Sequence, residues 1–358
     1  MNSASFRMSF LAGVGSVATI TITLAGLVFA AAGDQGVHLL PKFAAGETLR
    51  YQINTRLSTT GATATPIDNP EGASLLKQSA DMIIRIDILD VQPAATGTAM
   101  GRVHLRATYE KSDATSESDA YDAAAAAVAD QYTRLRGRSV EFTIEPDGKL
   151  SNIAGLDDIL SNPSTAQSVR SWMTGLSSGA AFPSNGITIG QKWSKEQPLT
   201  GTPLDGLVWH TEATYLRNEF CSAFAPPPPE SAATSRNQGG TTAPLTADES
   251  CAVILTRFEI LHHGSKDDST PEDYRRNSLR TSGTWTGSGQ SLDSISLTTG
   301  FLISSTQTST QDINFEVTSV RSGSRITYKG HVESQTEIRL LPQGSAPPQS
   351  SPQSRPRP

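Results

Sequence analysis

Three short motifs place nucleophilic or metal-binding residue types close together. Gly175–Gly179 fits the G-x-S-x-G pattern of serine hydrolases, which needs a strand before the serine and a helix after it. Here a helical pattern precedes Ser177, so a glycine-rich helix exit explains the match.

Ser74–Lys77 fits S-x-x-K, but no K-T-G follows, and we interpret it as a loop or helix turn. His262 and His263 are adjacent, and neighbouring residues of an extended chain point oppositely, which favours a solvated loop over a metal site.

Other chemistries lack a motif. The chain has no Walker loop, no G-x-G-x-x-G, no H-E-x-x-H and no C-x-x-C, so we predict no catalytic residue, no cofactor and no metal ion. The formal net charge of −6 opposes binding to nucleic acid phosphates. The sequence therefore predicts a class and a compartment more firmly than an activity.

The two cysteines lie on either side of a proline-rich stretch. Cys221 ends one segment with strand character and Cys251 begins another. In an oxidising compartment they have only each other as partners, so a disulfide is predicted across the base of a hairpin. Two free thiols are the alternative.

Both ends of the chain differ in composition from its body. Arg7 precedes an uncharged stretch that ends in Ala30–Ala32, which predicts a secretory signal peptide over residues 1–32, with an uncleaved membrane anchor as the alternative. Residues 343–358 are rich in Pro, Ser and Gln and are predicted to be a disordered tail. Residues 33–342 then form one domain, with a proline-rich insert at 225–250.

Apolar and polar residues alternate over most of the body, which is typical of antiparallel strands with one buried face. The clearest segments are Leu49–Leu57, Met82–Ile88, Val103–Tyr109 and Ile326–Ile338. Helical periodicity is confined to 118–136 and 156–176. The predicted fold is α+β: a large curved antiparallel sheet, half-barrel-like, packed against two or three helices.

Such a sheet must hide its apolar face behind helices, another sheet or a ligand. We predict a concave apolar surface that contacts Val128, Tyr132 or Trp172 on the helices. Its predicted lining residues are Ile84, Ile86, Leu105, Phe142, Ile326 and Tyr328.

Three longer motifs carry a resemblance. They are F-x-x-G-x-x-x-x-Y at Phe43–Tyr51, F-P-x-x-x-I-x-x-G-x-x-W at Phe182–Trp193, and the hairpin at Asp293–Gly300. With them the chain resembles uncharacterised exported bacterial β-rich proteins and, more loosely, β half-barrels of the periplasmic lipoprotein-carrier type. The resemblance implies a cup-shaped sheet and transfers no catalytic residue.

The sequence thus favours an exported cell-envelope protein, periplasmic or extracellular, that acts as a non-enzymatic binding or scaffold module for an apolar or lipid-like ligand or an envelope protein. Membrane contact is expected only if the N-terminal segment stays uncleaved. One alternative is a secreted hydrolase with an unrecognised site. Another is a structural protein that binds a partner through an exposed apolar patch.

Overall fold

The computed structural model describes residues 36–64, 74–94, 100–119, 123–160, 185–199, 201–224, 249–264 and 268–342, together with individual residues between 166 and 183. The predicted signal peptide at 1–32, the insert up to residue 248, Trp172, Ser177 and the tail at 343–358 lie outside the described residues.

A single antiparallel sheet of eleven strands forms the body. The strands are β1 (Thr48–Ala64), β2 (Ser74–Gln92), β3 (Arg102–Ser118), β4 (Ser139–Ile144), β5 (Leu150–Ala154), β6 (Lys192–Pro198), β7 (Leu207–Phe220), β8 (Ser250–His262), β9 (Leu279–Ser296), β10 (Leu302–Ser319) and β11 (Arg325–Leu340). Their order across the sheet is β5-β4-β3-β2-β1-β11-β10-β9-β8-β7-β6. Strands that are consecutive in sequence lie side by side, except β5 and β6, which form the two edges of the sheet, and the first strand, β1, pairs with the last, β11.

The predicted α+β class is wrong. Strand accounts for 64% of the structure and helix for 9%, so the fold is an open, nearly all-β sheet. The helices are α1 (Ala123–Leu135), α2 (Leu156–Ile159) and α3 (Glu272–Arg276), with a 3-10 turn at Cys221–Phe224; Ala166, Val169, Arg170 and Met173 are also helical. Because strands continue beyond the apolar alternation into Ser- and Thr-rich sequence, the pattern understated their length.

Strand β2 illustrates this extension. Its apolar alternation begins near Met82, but the strand begins at Ser74, where a loop or helix turn was expected. Residues Ser74–Lys77 pair with residues Ser58–Gly61 near the end of β1. Ladder pairing with a neighbour thus holds a polar stretch in strand geometry where side-chain burial alone gives little signal.

The inner face of the sheet carries two main apolar clusters. One covers β1–β4 and includes Leu135 of α1 together with Val169 and Met173. The other lies across β7–β11, with Leu57 of β1, and contains Trp285 and Phe315. Helical side chains therefore pack on the β1–β4 cluster, and Tyr274 of α3 packs on the other cluster with the loop residues Leu199 and Leu204.

A disulfide joins Cys221 and Cys251, whose Cα atoms are 5.0 Å apart. Cys221 follows β7 and Cys251 lies near the start of β8, so the bond closes the strand pair at the base of the insert. The prediction of this disulfide is confirmed.

Candidate functional site

A groove of about 560 Å³ crosses strands β7 to β10 on the solvent-facing side of the sheet. Burial alternates strictly along β10, where the odd-numbered residues Ser305–Ile313 are buried and the even-numbered ones between them are exposed. The same alternation places Arg257 and Glu259 of β8 in solvent and Phe258 between them in the interior. The groove is therefore built on the polar face of the sheet.

Strand register arranges the lining side chains in two rows. In the first row Glu212, Arg257, Gln290 and Thr308 stand opposite one another on successive strands. In the second row the order is His210, Glu259, Ser288 and Thr310. Residues two apart on a strand share a face and lie about 7 Å apart, so the rows run parallel at that spacing.

Most of these side chains have hydrogen-bonding groups that the protein does not use. Within the part of the chain that the structure describes, no hydrogen bond or ion pair engages the side chains of Arg257, Glu259, Ser288, Gln290, Thr308 and Thr310. The opposite half of the same face differs, because its charges neutralise one another in pairs such as Arg50–Glu110, Arg102–Glu145 and Arg106–Glu141. The groove thus offers donors and acceptors to a ligand.

Three contacts of side chains with carboxylates lie along the β6 rim of the groove. Oε1 of Glu212 lies 3.3 Å from Nζ of Lys192. Glu196 lies between two imidazoles, with one carboxylate oxygen 3.4 Å from Nδ1 of His210 and the other 3.1 Å from Nε2 of His263. The imidazoles contact opposite oxygens and do not converge on one point. Accordingly, no group of three or more His, Cys, Asp or Glu side chains in the described ranges is arranged to hold a metal ion.

One serine contacts a histidine outside the groove. Oγ of Ser269 lies 3.4 Å from Nε2 of His262. The serine is buried, and Nδ1 of His262 is buried with no hydrogen-bond partner among the described residues. A catalytic triad needs an acid at that nitrogen and a nucleophile that substrate can reach, so this pair lacks two features of a hydrolase site.

Polar side chains also occupy the inner face, on β8 to β10. Hydroxyls of Ser291 and Ser305 donate to the two carboxylate oxygens of Asp293, at 3.0 Å and 2.6 Å. Burial raises the pKa of Asp293, and the two hydroxyls offset part of that effect. Next to this group, Oγ1 of Thr256 and Nε2 of Gln307 are buried and find no hydrogen-bond partner in the described part of the chain. The interior is therefore partly polar, which apolar alternation did not predict.

The structure brings together four of the six residues predicted to line an apolar cavity and places the other two elsewhere on the sheet. Ile84, Ile86, Leu105 and Phe142 are fully buried in the cluster over β1–β4. Tyr328 belongs to the other cluster, where its ring centroid is 5.4 Å from that of Phe315; Ile326 is half-buried beside Val317. Tyr132 packs against the first cluster, and nothing is described of the Val128 side chain.

Sequence reasoning missed the groove residues themselves. Alternation identifies Arg257 and Glu259 as solvent-facing, which on a sheet is the ordinary position of a charged residue. Only the register shows that Gln290 and Ser288 stand beside them. The sequence feature that could have indicated the groove is the presence of two opposite charges, two residues apart on one strand, with apolar neighbours.

Comparison with known proteins gives no family. No protein-family model and no curated protein matches the chain. Among solved structures, DynF from the dynemicin biosynthesis pathway of Micromonospora chersina is 8% identical, with 92% of this chain and 97% of that chain covered and a TM-score of 0.17. OccK7 (OpdD) of Pseudomonas aeruginosa is 6% identical, with 83% and 100% covered and a TM-score of 0.19. Likenesses this weak support no conclusion about fold or function.

The disulfide is consistent with an exported protein. Within the ranges that the structure describes, every helix is too short or too polar to span a bilayer.

Proposed function

We propose that this protein is an exported, non-enzymatic binding module whose ligand site is the groove on β7 to β10. The observation that carries the proposal is the set of six solvent-facing side chains in one groove that bond to nothing within the described structure. Small-molecule sites have volumes of about 300–1,000 Å³, and the groove falls within that range.

The groove favours a polar ligand. Its lining contains a guanidinium, two carboxylates, an imidazole, an amide and hydroxyls. The apolar side chains of the first cluster instead pack against one another and against helical side chains. The apolar or lipid-like ligand remains a separate prediction, and its site would be the sheet interior.

Binding without chemistry is supported by the position of the Ser269–His262 pair. The pair lies outside the groove, its serine is buried, and none of the described acidic residues orients the histidine. Among the residues that the structure describes, the hydrolase alternative therefore rests on that pair.

Native mass spectrometry of protein purified from its own host tests the proposal. We expect a polar small-molecule adduct that is lost in the double variant Arg257→Ala, Gln290→Ala. The control variant is Asn314→Ala, which removes an exposed side chain of β10 outside the groove and is expected to retain the adduct.

Three results would overturn the proposal. An adduct of lipid size that survives the groove variants would locate binding in the interior. Labelling of Ser269 by a fluorophosphonate probe would favour the hydrolase. Absence of any adduct, with no affinity for added polar ligands, would leave the groove without a role.

A further inference from the structure

The geometry points to a more specific ligand: we propose that the groove binds a short peptide with two free termini, its carboxylate held by Arg257 and its ammonium group by Glu259. This inference rests on the proposed function, because it assigns a ligand class to the same groove.

The first step is the arrangement of the two charges on β8. Arg257 and Glu259 are exposed on the same face, about 7 Å apart along the strand. Neither takes part in an ion pair with any described residue. Glu212, which stands opposite Arg257, is engaged by Lys192 at 3.3 Å. One cation and one anion, two residues apart on the same face of the strand, are therefore available to a ligand that carries the complementary charges.

The second step concerns the neighbours of each charge. Gln290 and Thr308 continue the row of Arg257 and add amide and hydroxyl donors for a carboxylate. Ser288 and Thr310 continue the row of Glu259 and add hydroxyl acceptors for an ammonium group. A guanidinium binds carboxylates through two parallel hydrogen bonds, so the Arg257 row is the better carboxylate site.

The third step is the length of the ligand. An extended chain advances about 3.3–3.6 Å per residue, so the termini of a dipeptide or tripeptide span the interval between the rows. A free amino acid carries its ammonium and carboxylate groups on one carbon and spans less than this backbone interval. A ligand of two or three residues also suits a groove of about 560 Å³.

Titration calorimetry with four probes tests the charges separately. Diglycine and triglycine carry both termini, acetyl-diglycine lacks the ammonium group, and diglycine amide lacks the carboxylate. We expect the two single-charge probes to bind at least tenfold more weakly than the better zwitterion, because each loses charge-assisted hydrogen bonds.

Protein variants test the assignment of each charge. Arg257→Gln is expected to weaken triglycine at least tenfold while leaving diglycine amide unchanged, and Glu259→Gln to leave acetyl-diglycine unchanged. The charge reversal Arg257→Glu with Glu259→Arg is expected to restore zwitterion binding to within about fivefold, since a peptide can bind in the opposite direction. Asn314→Ala is the control and is expected to bind as the parent does.

The outcomes separate the two proposals. If acetyl-diglycine binds as tightly as diglycine, or if the charge reversal binds no better than Arg257→Glu alone, the peptide inference is overturned. Binding of an uncharged saccharide such as cellobiose, lost in Arg257→Ala with Gln290→Ala, would overturn the peptide and retain a polar binding groove. Failure of peptides, saccharides and host adducts alike would remove both proposals.

Discussion

Gly289 of β9 occupies a position where a side chain has no room. A Cβ atom built on this residue would lie 2.3 Å from the carbonyl oxygen of Thr308 and 2.4 Å from Cζ of Phe258. Ordinary contacts of a Cβ atom begin near 3.4 Å. The absence of a side chain therefore allows the Phe258 ring to lie against the strand directly beneath the groove.

Gly289→Ala is expected to destabilise the protein by about 2–4 kcal/mol. Overpacking in a filled interior costs about 1–3 kcal/mol. Displacing Phe258 also disturbs its edge-to-face contact with Trp209, whose ring centroid is 5.3 Å away, and such contacts contribute about 0.5–1.5 kcal/mol. The Thr308 carbonyl belongs to the strand ladder, so relief by backbone movement would strain the pairing of β9 with β10.

Urea denaturation and thermal melting measure this loss, with an expected fall in Tm of about 4–8 °C at about 2 °C per kcal/mol for a domain of this size. The matched control is Ser288→Ala, which changes the adjacent solvent-facing residue and is expected to alter stability by less than about 0.5 kcal/mol. Because Phe258 lies against Gly289, the loss of unfolding free energy caused by Phe258→Ala should be at least about 1 kcal/mol smaller in the Gly289→Ala background than in the parent protein. A variant as stable as the parent would refute the close approach of ring and strand.

Three further predictions follow from the interior and the disulfide. Tyr328→Phe is expected to raise the free energy of unfolding by about 1–2 kcal/mol, because the buried hydroxyl has no hydrogen-bond partner within the described ranges; a lower urea midpoint would contradict this. Burial raises the pKa of Asp293, so its stabilising contribution is complete below about pH 4 and is lost as pH rises through the folded value. Asp293→Asn should therefore be more stable than the parent at pH 7, with the advantage shrinking towards pH 4, and equal urea midpoints at pH 7 would count against the argument. Replacing Cys221 and Cys251 by Ser should cost about 3–4 kcal/mol for a loop of this length, measured by urea denaturation; an unchanged midpoint would show that the bond does not constrain the unfolded chain.

Parts of this architecture follow from local sequence. Alternation at Met82–Ile88 and Val103–Tyr109 indicated strands with one buried face, and the structure buries those apolar residues on one side of the sheet. The turn at Arg321–Ser324 was recognisable because Gly323 provides a positive φ, which is 69° here. The disulfide could be predicted because the sequence contains only two cysteines.

The prediction of fold class was wrong where buried positions carry polar side chains. Ser305, Gln307, Ser309 and Gln311 are buried on β10, although a pattern that equates buried with apolar treats them as surface residues. Neighbouring strands satisfy some of these groups, as when Gln311 accepts a hydrogen bond from Nε1 of Trp285 at 3.0 Å. Only the assembled sheet supplies such partners.

Local sequence determined which residues of β8 face solvent, because side chains alternate with a period of two whatever the rest of the chain does. It did not determine which side chains stand beside Arg257 and Glu259. That choice belongs to the register, which the whole sheet fixes through the burial of its inner face, since a slip of one residue would turn every side chain of a strand to the other side. The positions of Gln290 and Ser288 in the groove were therefore decided only by the tertiary structure.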